Sequence, residues 1–309
     1  MNRNTVSAKL AFAASSQQPS KLCIQNKFIC CGFSTPIFHV PNLLGIFVFK
    51  LCKHYFDGID ENGNALIAYA AELSLLDIRL PYSSVMLHNA DNVLYEHACL
   101  KAAQLGENQR AFMQPQLSVS AQWQALNAPL NPVDLLNAAA FTDTNKDVLW
   151  HCHTPKARFS CTLNGQLFQG LGYAETLTLT LEPWRLPLDE LYWGRFLSPS
   201  HTLVWLEWRG KNPLKLLYLN GKCYQDFVLN RHKLLLPECG LCLDFAEPSI
   251  VKDEPLLALA QRFPILNRLF GRDFLKTRET KWKSRARLVM SDAPPETGWA
   301  LYEKVLWRS

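Results

Sequence analysis

Thr176-Leu-Thr-Leu-Thr-Leu181 alternates strictly, so its three leucines face one side of an extended chain and its three threonines the other. That period of two decides the fold class, and it recurs downstream. Thr202-Leu-Val-Trp-Leu-Glu-Trp208 is a second strand, stopped by Arg209-Gly210, and Leu214 to Leu219 is a third, ended by the Asn220-Gly221 turn. Lys222 to Leu229 and His232 to Leu236 continue the meander, and Arg285 to Met290 and Gly298 to Leu306 close the chain as strands. Strands at a spacing of roughly 8 to 12 residues, with turn formers between them, predict a barrel or sandwich. Leu256 to Phe270 is the helix candidate of this half, broken by Pro264. Upstream, order is expected to begin near Tyr55. The stretch from Phe56 to Asn64 is dense in turn formers, and Ala65 to Leu76 does not separate helix from strand. Leu126 to Asp147 reads as a loop, with a short helix capped near Asn131.

The composition suits a soluble globular chain. With 309 residues, 48% hydrophobic and 19% charged, it can bury a core without disulfides or a structural metal. Eight of the nine tryptophans lie from Trp150 onward, which favours half-buried sheet there. The net charge of +5 is uneven: six basic residues and no acid precede Asp57, leaving the remainder at −1. A nearly neutral body gives no electrostatic footprint for nucleic acid. The ten cysteines are expected to be mostly reduced and buried. The apolar run Leu43 to Phe49 is far shorter than the roughly 20 residues a bilayer span needs. A cytoplasmic or peripherally membrane-associated location is therefore expected. The acid-free first 35 residues fit an organellar targeting segment, a disordered extension, or a start upstream of the true one.

No phosphate loop, Rossmann glycine fingerprint or nucleophile elbow is present. Trp150-His-Cys-His153 puts His151 and His153 on one face of a strand, with Cys152 on the other. That spacing can chelate a metal, but no third ligand is evident, and a polar patch in a pocket is the preferred reading. Cys239-Gly-Leu-Cys242 lacks the second pair of a zinc site and reads as structural. The densest constellation is Gly170-Leu-Gly-Tyr-Ala-Glu175, followed by Glu190-Leu-Tyr-Trp-Gly-Arg195. Tyr173 and Glu175 share the apolar face of their strand with Leu177, Leu179 and Leu181. If that face is interior, burial raises the Glu175 pKa toward the range of a general acid. The structural alternative is an ion pair from Glu175 to Arg195 or Arg185. Lys283, Arg285 and Arg287 alternate as the wet face of a strand would, although the whole basic stretch Arg268 to Arg287 could instead meet an anionic membrane.

Gly172-Tyr-Ala-Glu175, Trp150-His-Cys-His153, Tyr192-Trp-Gly-Arg195 and Gly298-Trp-Ala-Leu-Tyr-Glu303 resemble segments of the lipocalin-like family that contains carotenoid 1,2-hydratase, also called hydroxyneurosporene synthase. Glu replaces an Asp in the first segment, and the order of His and Trp differs in the second. The resemblance implies a mainly β protein of two lipocalin-like antiparallel β-barrels in tandem with few short helices. The implied segments are an extension over 1–54 and β-domains over 55–180 and 181–309. It also implies a hydrophobic isoprenoid or lipid bound in a barrel, with water added to an isolated alkene and no cofactor. In that chemistry Glu175 would be the acid, Tyr173 and Trp193 would flank the cation, and His151 or His153 would position water. Trp150, Trp193 and Arg195 would line the ligand site. A non-catalytic carrier and a membrane-associated scaffold are the alternatives.

Overall fold

The period-two pattern is realised throughout as antiparallel sheet. The computed structural model describes residues 49–75, 78–130 and 148–307, all within the second of two compact units, Ile46–Ser309. The expected N-terminal targeting segment and the helix near Asn131 lie outside the described residues. One sheet contains β1 (Phe49–Asp60), β2 (Ala65–Leu75), β3 (Ile78–His88), β4 (Leu94–Cys99), β5 (Gln104–Leu105), β6 (Ala111–Gln114), β7 (Val119–Ala125), β8 (Val148–Leu163) and β9 (Gln166–Leu179). The other contains β10 (Glu190–Leu197), β11 (Thr202–Arg209), β12 (Leu214–Leu219), β13 (Lys222–Tyr224), β14 (Val228–Leu229), β15 (Lys233–Leu236), β16 (Leu241–Pro255), β17 (Arg278–Met290) and β18 (Ala293–Leu306). Their orders are β4-β3-β2-β1-β9-β8-β7-β6-β5 and β13-β12-β11-β10-β18-β17-β16-β15-β14, the same topology twice. Each sheet curls into a half-barrel. The ambiguous run after Ala65 is strand, paired along its length with β1.

Each half-barrel closes on an aromatic filling of its own. Phe56, Phe112, Trp123 and Phe159 occupy the first, and Phe196, Trp205, Phe227 and Phe245 the second. Glycine makes room for them. A Cβ on Gly58 would lie 2.3 Å from the Phe159 ring, and one on Gly194 would lie 2.3 Å from the Trp205 ring. The opposite faces of the two sheets pack on each other. Tyr55, Trp150, Tyr173 and Leu179 belong to the same core as Trp193, Leu206, Trp208 and Tyr218. Both faces of the central strands are therefore buried. This explains why β11 reads as a nearly continuous apolar run and is buried from Thr202 to Trp208.

Between β16 and β17 the expected helix forms and breaks at Pro264. It becomes α1 (Leu256–Arg262) and α2 (Leu266–Leu269), followed by α3 (Arg272–Leu275). Two sequence expectations are corrected here. Lys283 is not on a wet face: it is buried beside the first half-barrel and donates to the carbonyls of Gly63 (2.7 Å) and Asn89 (2.9 Å). Lys281, two residues earlier, is buried as well, whereas Arg285 and Arg287 are exposed. The inter-sheet face recruits the lysines because acids and carbonyls of neighbouring strands await them there. The seven described cysteines are all free, but only Cys152 and Cys161 are buried, and Cys223 is exposed.

A fully buried ion pair crosses the interface. Asp57 on β1 and Arg195 on β10 are both fully buried. The guanidinium donates to the Asp57 carboxylate from Nη2 (2.6 Å) and Nε (3.1 Å), and from Nη1 to the Trp299 carbonyl (2.8 Å). Tyr55 donates a further hydrogen bond to Asp57 (3.0 Å). Burial pushes the Asp57 carboxyl up, against the pull of Arg195. Removing either partner strands a buried charge, which costs about 3–5 kcal/mol, whereas replacing both with apolar residues is often neutral. Asp57→Leu alone and Arg195→Leu alone are expected to lower the urea midpoint sharply, and the double variant to recover most of the loss.

Candidate functional site

Glu175 sits on β9 directly across from Tyr55 of β1. The sheet register extends this pair into a cross-strand row, Ser84–Tyr69–Tyr55–Glu175, on β3, β2, β1 and β9. This row lies on the inter-sheet face, not inside a half-barrel, because even-numbered Phe168 and Ala174 of β9 take the barrel interior while Tyr173 and Leu179 join the shared core. The anticipated barrel-interior acid is thus an acid between two half-barrels.

The partners of Glu175 are all neutral. Its Oε2 accepts hydrogen bonds from Trp150 Nε1 (2.5 Å), the Tyr173 hydroxyl (2.6 Å) and Trp193 Nε1 (3.2 Å). Among the described residues, none donates to Oε1. Burial raises the carboxyl above its usual range, and the bonds from Tyr173 and Trp150 recover only part of the shift. The ion pair weighed from sequence does not form: Arg195 is spent on Asp57, and Arg185 pairs with Glu182 at 3.3 Å. Burial, with Cys152 and Glu175 nearby, also pushes the Tyr173 phenol well above 10, so it stays protonated and donates.

The repeated topology supplies an internal comparison. Tyr55 pairs with Glu175, and Trp193 pairs with Glu303, at matching places in the two sheets. A Cβ on Gly170 would strike the Ile59 carbonyl, and one on Gly298 the Leu197 carbonyl, which aligns the two sites independently. Their chemistry differs. Glu303 is bonded to Lys281, which also holds Glu279 at 2.6 Å. Burial alone would lower the Lys281 pKa, but the Glu279 and Glu303 carboxylates hold it well above the usual lysine range. One carboxyl of the pair is therefore salted, and the other meets only neutral donors.

A cavity of about 280 Å³ lies beside this row, at the end marked by Tyr69 and Ser84. Its wall is mainly apolar, with Leu51, Leu73 and Met86 from the first sheet facing Leu259, Phe270 and Leu275 from the helices. Lys53 also lines it, with its ammonium 5.0 Å from the Tyr69 ring centroid. Glu175 does not line it. Tyr69 and then Tyr55 stand between, their rings edge to face at 5.3 Å, with Tyr55 edge to face on Trp193 at 5.0 Å. At the usual strand spacing Glu175 lies roughly 10 Å from Tyr69 along the row.

Of the residues singled out from sequence, Trp150, Tyr173, Glu175 and Trp193 come together. Arg195 belongs to the buried ion pair rather than to a ligand surface. His151 and His153 share a face as expected, but it is the other side of the sheet, where His153 packs against Phe56 and His151 is exposed. They cannot position water at Glu175. Burial, together with His151, His54 and Arg110, pushes His153 down to about 4, so it is neutral at neutral pH. Asp57, Tyr55, Tyr69 and Lys281 escaped the sequence reading. The Gly-x-x-x-x-Glu spacing common to Gly170–Glu175 and Gly298–Glu303 was the available signal.

Each donor to Glu175 favours its ionised form, so deleting one raises its pKa further. In Trp150→Phe, carbon-13 NMR of labelled glutamate is expected to show the Glu175 carboxyl titrating at higher pH than in the parent protein. An unchanged titration would mean that the indole bond does not act on that proton.

No protein-family model matches the sequence, and no curated protein matches it. Solved structures do. CghA bound to Sch210972 aligns with a TM-score of 0.53 at 10% identity, covering 84% of this chain and 89% of that one. A Nitrosomonas europaea protein named as a candidate AttH aligns at 0.54 and 10%, covering 85% and 93%. Kievitone hydratase from Nectria haematococca reaches 0.49 at 12%, covering 83% and 88%, and that likeness carries no argument. At these identities the shared property is the fold.

Proposed function

We propose that the protein binds an isoprenoid or other lipophilic molecule between its two half-barrels and adds water to an isolated alkene, with Glu175 as general acid. The observation that supports this most directly is the asymmetry of the Glu175 carboxyl: three neutral donors reach Oε2 and, among the described residues, none reaches Oε1. When the group is neutral its proton belongs on Oε1, the oxygen to which no described residue donates. The resemblance of Gly172–Glu175 to the carotenoid 1,2-hydratase family points the same way.

The step balances within these residues. Oε1–H protonates one alkene carbon, leaving a tertiary cation on the other and a carboxylate on Glu175. Trp150, Tyr173 and Trp193 already point at that carboxylate, so their bonds strengthen as charge develops and favour the transition state over the ground state. The aromatic rings of Tyr55, Tyr173 and Trp193, mutually edge to face at 5.0 to 6.1 Å, offer faces for the cation. Water captures the cation and its proton returns to Glu175, so no separate base and no cofactor is required. A second reading, a carrier without catalysis, is favoured by the two tyrosines between Glu175 and the cavity.

Native mass spectrometry after mild purification, with organic extraction, tests whether a lipophile is retained. Ala71 of β2 also lines the cavity, and filling the space with Ala71→Phe is expected to abolish retention. Incubation with the extracted isoprenoid should give a product heavier by one water, lost in Glu175→Gln while binding persists. Turnover should fall as pH rises through the raised Glu175 pKa, since only the protonated form is the acid. Retention without any water adduct in the parent protein would leave the carrier reading.

A further inference from the structure

The helices over the cavity have two kinds of face. Inward, Leu259 of α1, Leu266 of α2 and Leu275 of α3 line the cavity. Outward, Leu257 is 39% and Ile265 37% exposed. Trp184, 38% exposed, packs against Phe270 and Phe274 of the same segment, with ring centroids 6.0 and 5.4 Å away. The charge on this segment is one-sided. From Leu256 to Lys276 it carries Arg262, Arg268, Arg272 and Lys276 against the single acid Asp273. Arg262 is committed to Glu96 (2.8 Å) and Lys276 to Asp273 (2.7 Å). Arg268 and Arg272 are exposed, and no acid among the described residues pairs with them. Exposed aliphatic and indole groups interspersed with unpaired cations are what an anionic bilayer surface accepts, the apolar tips entering the acyl boundary and the arginines meeting lipid phosphates.

We infer that α1 to α3 form a lid that docks on an anionic membrane surface, so that the cavity receives its lipophilic ligand directly from the bilayer. This rests on the cavity reading above but not on the role of Glu175. The lid is three helices of seven, four and four residues joined by short turns, a segment with little helix stability of its own that is held by packing of Leu266, Phe274 and Leu275. Docking would place the cover of the cavity at the acyl boundary, where a water-insoluble ligand resides.

The test uses the full chain, vesicles of phosphatidylcholine with or without phosphatidylserine, and the neutral lipophilic dye Nile red. The expected results are co-sedimentation with the phosphatidylserine vesicles that falls with salt, and weakening by at least about tenfold in Arg268→Glu/Arg272→Glu. Leu257→Ser/Ile265→Ser should also bind vesicles less well. Dye transfer from loaded vesicles should slow in both variants, while dye affinity measured without vesicles stays unchanged. The basic residues before Asp57 remain in both variants, so a loss on charge reversal reports on the lid. Vesicle binding indifferent to both variants, or capture of dye at equal rates, would overturn the lid inference while leaving the cavity intact. Failure to bind dye with or without vesicles, with vesicle docking preserved, would instead remove the cavity reading.

Discussion

A charge pair with no access to water holds the two halves of this protein in register. Asp57 and Arg195 come from matching central strands, β1 and β10, and meet where the sheets pack. The guanidinium also takes a carbonyl of β18, and Tyr55 takes the second Asp57 oxygen. An apolar interface between two curled sheets tolerates sliding, because dispersion and burial have no direction. A buried fork of hydrogen bonds does not tolerate it, since any slip leaves charge unpaired. The row Ser84–Tyr69–Tyr55–Glu175 crosses β1 at Tyr55, two residues from Asp57, so its alignment with Trp193 of the other half follows from this contact.

The duplicated topology shows how one architecture yields two carboxyls of opposite character. Glu175 and Glu303 occupy corresponding places, and both are screened from solvent by the opposing sheet. Beside Glu303, β17 places Lys281, and the carboxyl is salted. Beside Glu175, β8 is irregular between His151 and Thr154, and its neighbours on that face are Trp150 and Cys152. An amine would hold the acid ionised. Indole and phenol donors favour the ionised form too, but recover only part of what burial costs it. The difference between a structural carboxylate and a candidate acid thus comes down to which side chain the adjacent strand presents.

Much of the fold was legible in sequence because sheet formation is local in its pattern. The alternation at Thr176–Leu181, the Asn220-Gly221 turn and the break at Pro264 each announce an element through backbone geometry alone. The pair Tyr173 and Glu175 was also legible, since parity puts residues two apart on one face, whereas Trp150 and Trp193 were singled out beside them only by the family resemblance. What parity cannot say is which face is which. Lys283 alternates like a solvent-facing residue yet is buried, and the odd-numbered face of β9 proved to be the inter-sheet surface rather than a barrel lumen.

By itself, then, the sequence determined that the chain is mainly sheet, where the strands and helical interruption of its second half fall, and which side chains of β9 share a face with Glu175. These follow from period, turn chemistry and proline, all acting within a few residues. In the first half it left β2 undecided and read as turn-rich the stretch from Phe56 that β1, starting at Phe49, occupies. Only the tertiary structure decided that two half-barrels fill their own interiors with aromatics, that Arg195 answers Asp57 instead of Glu175, and that the cavity lies between the halves under three short helices. Those outcomes depend on contacts between residues from about forty to well over a hundred positions apart, where the partner is chosen by which buried group would otherwise be left without one.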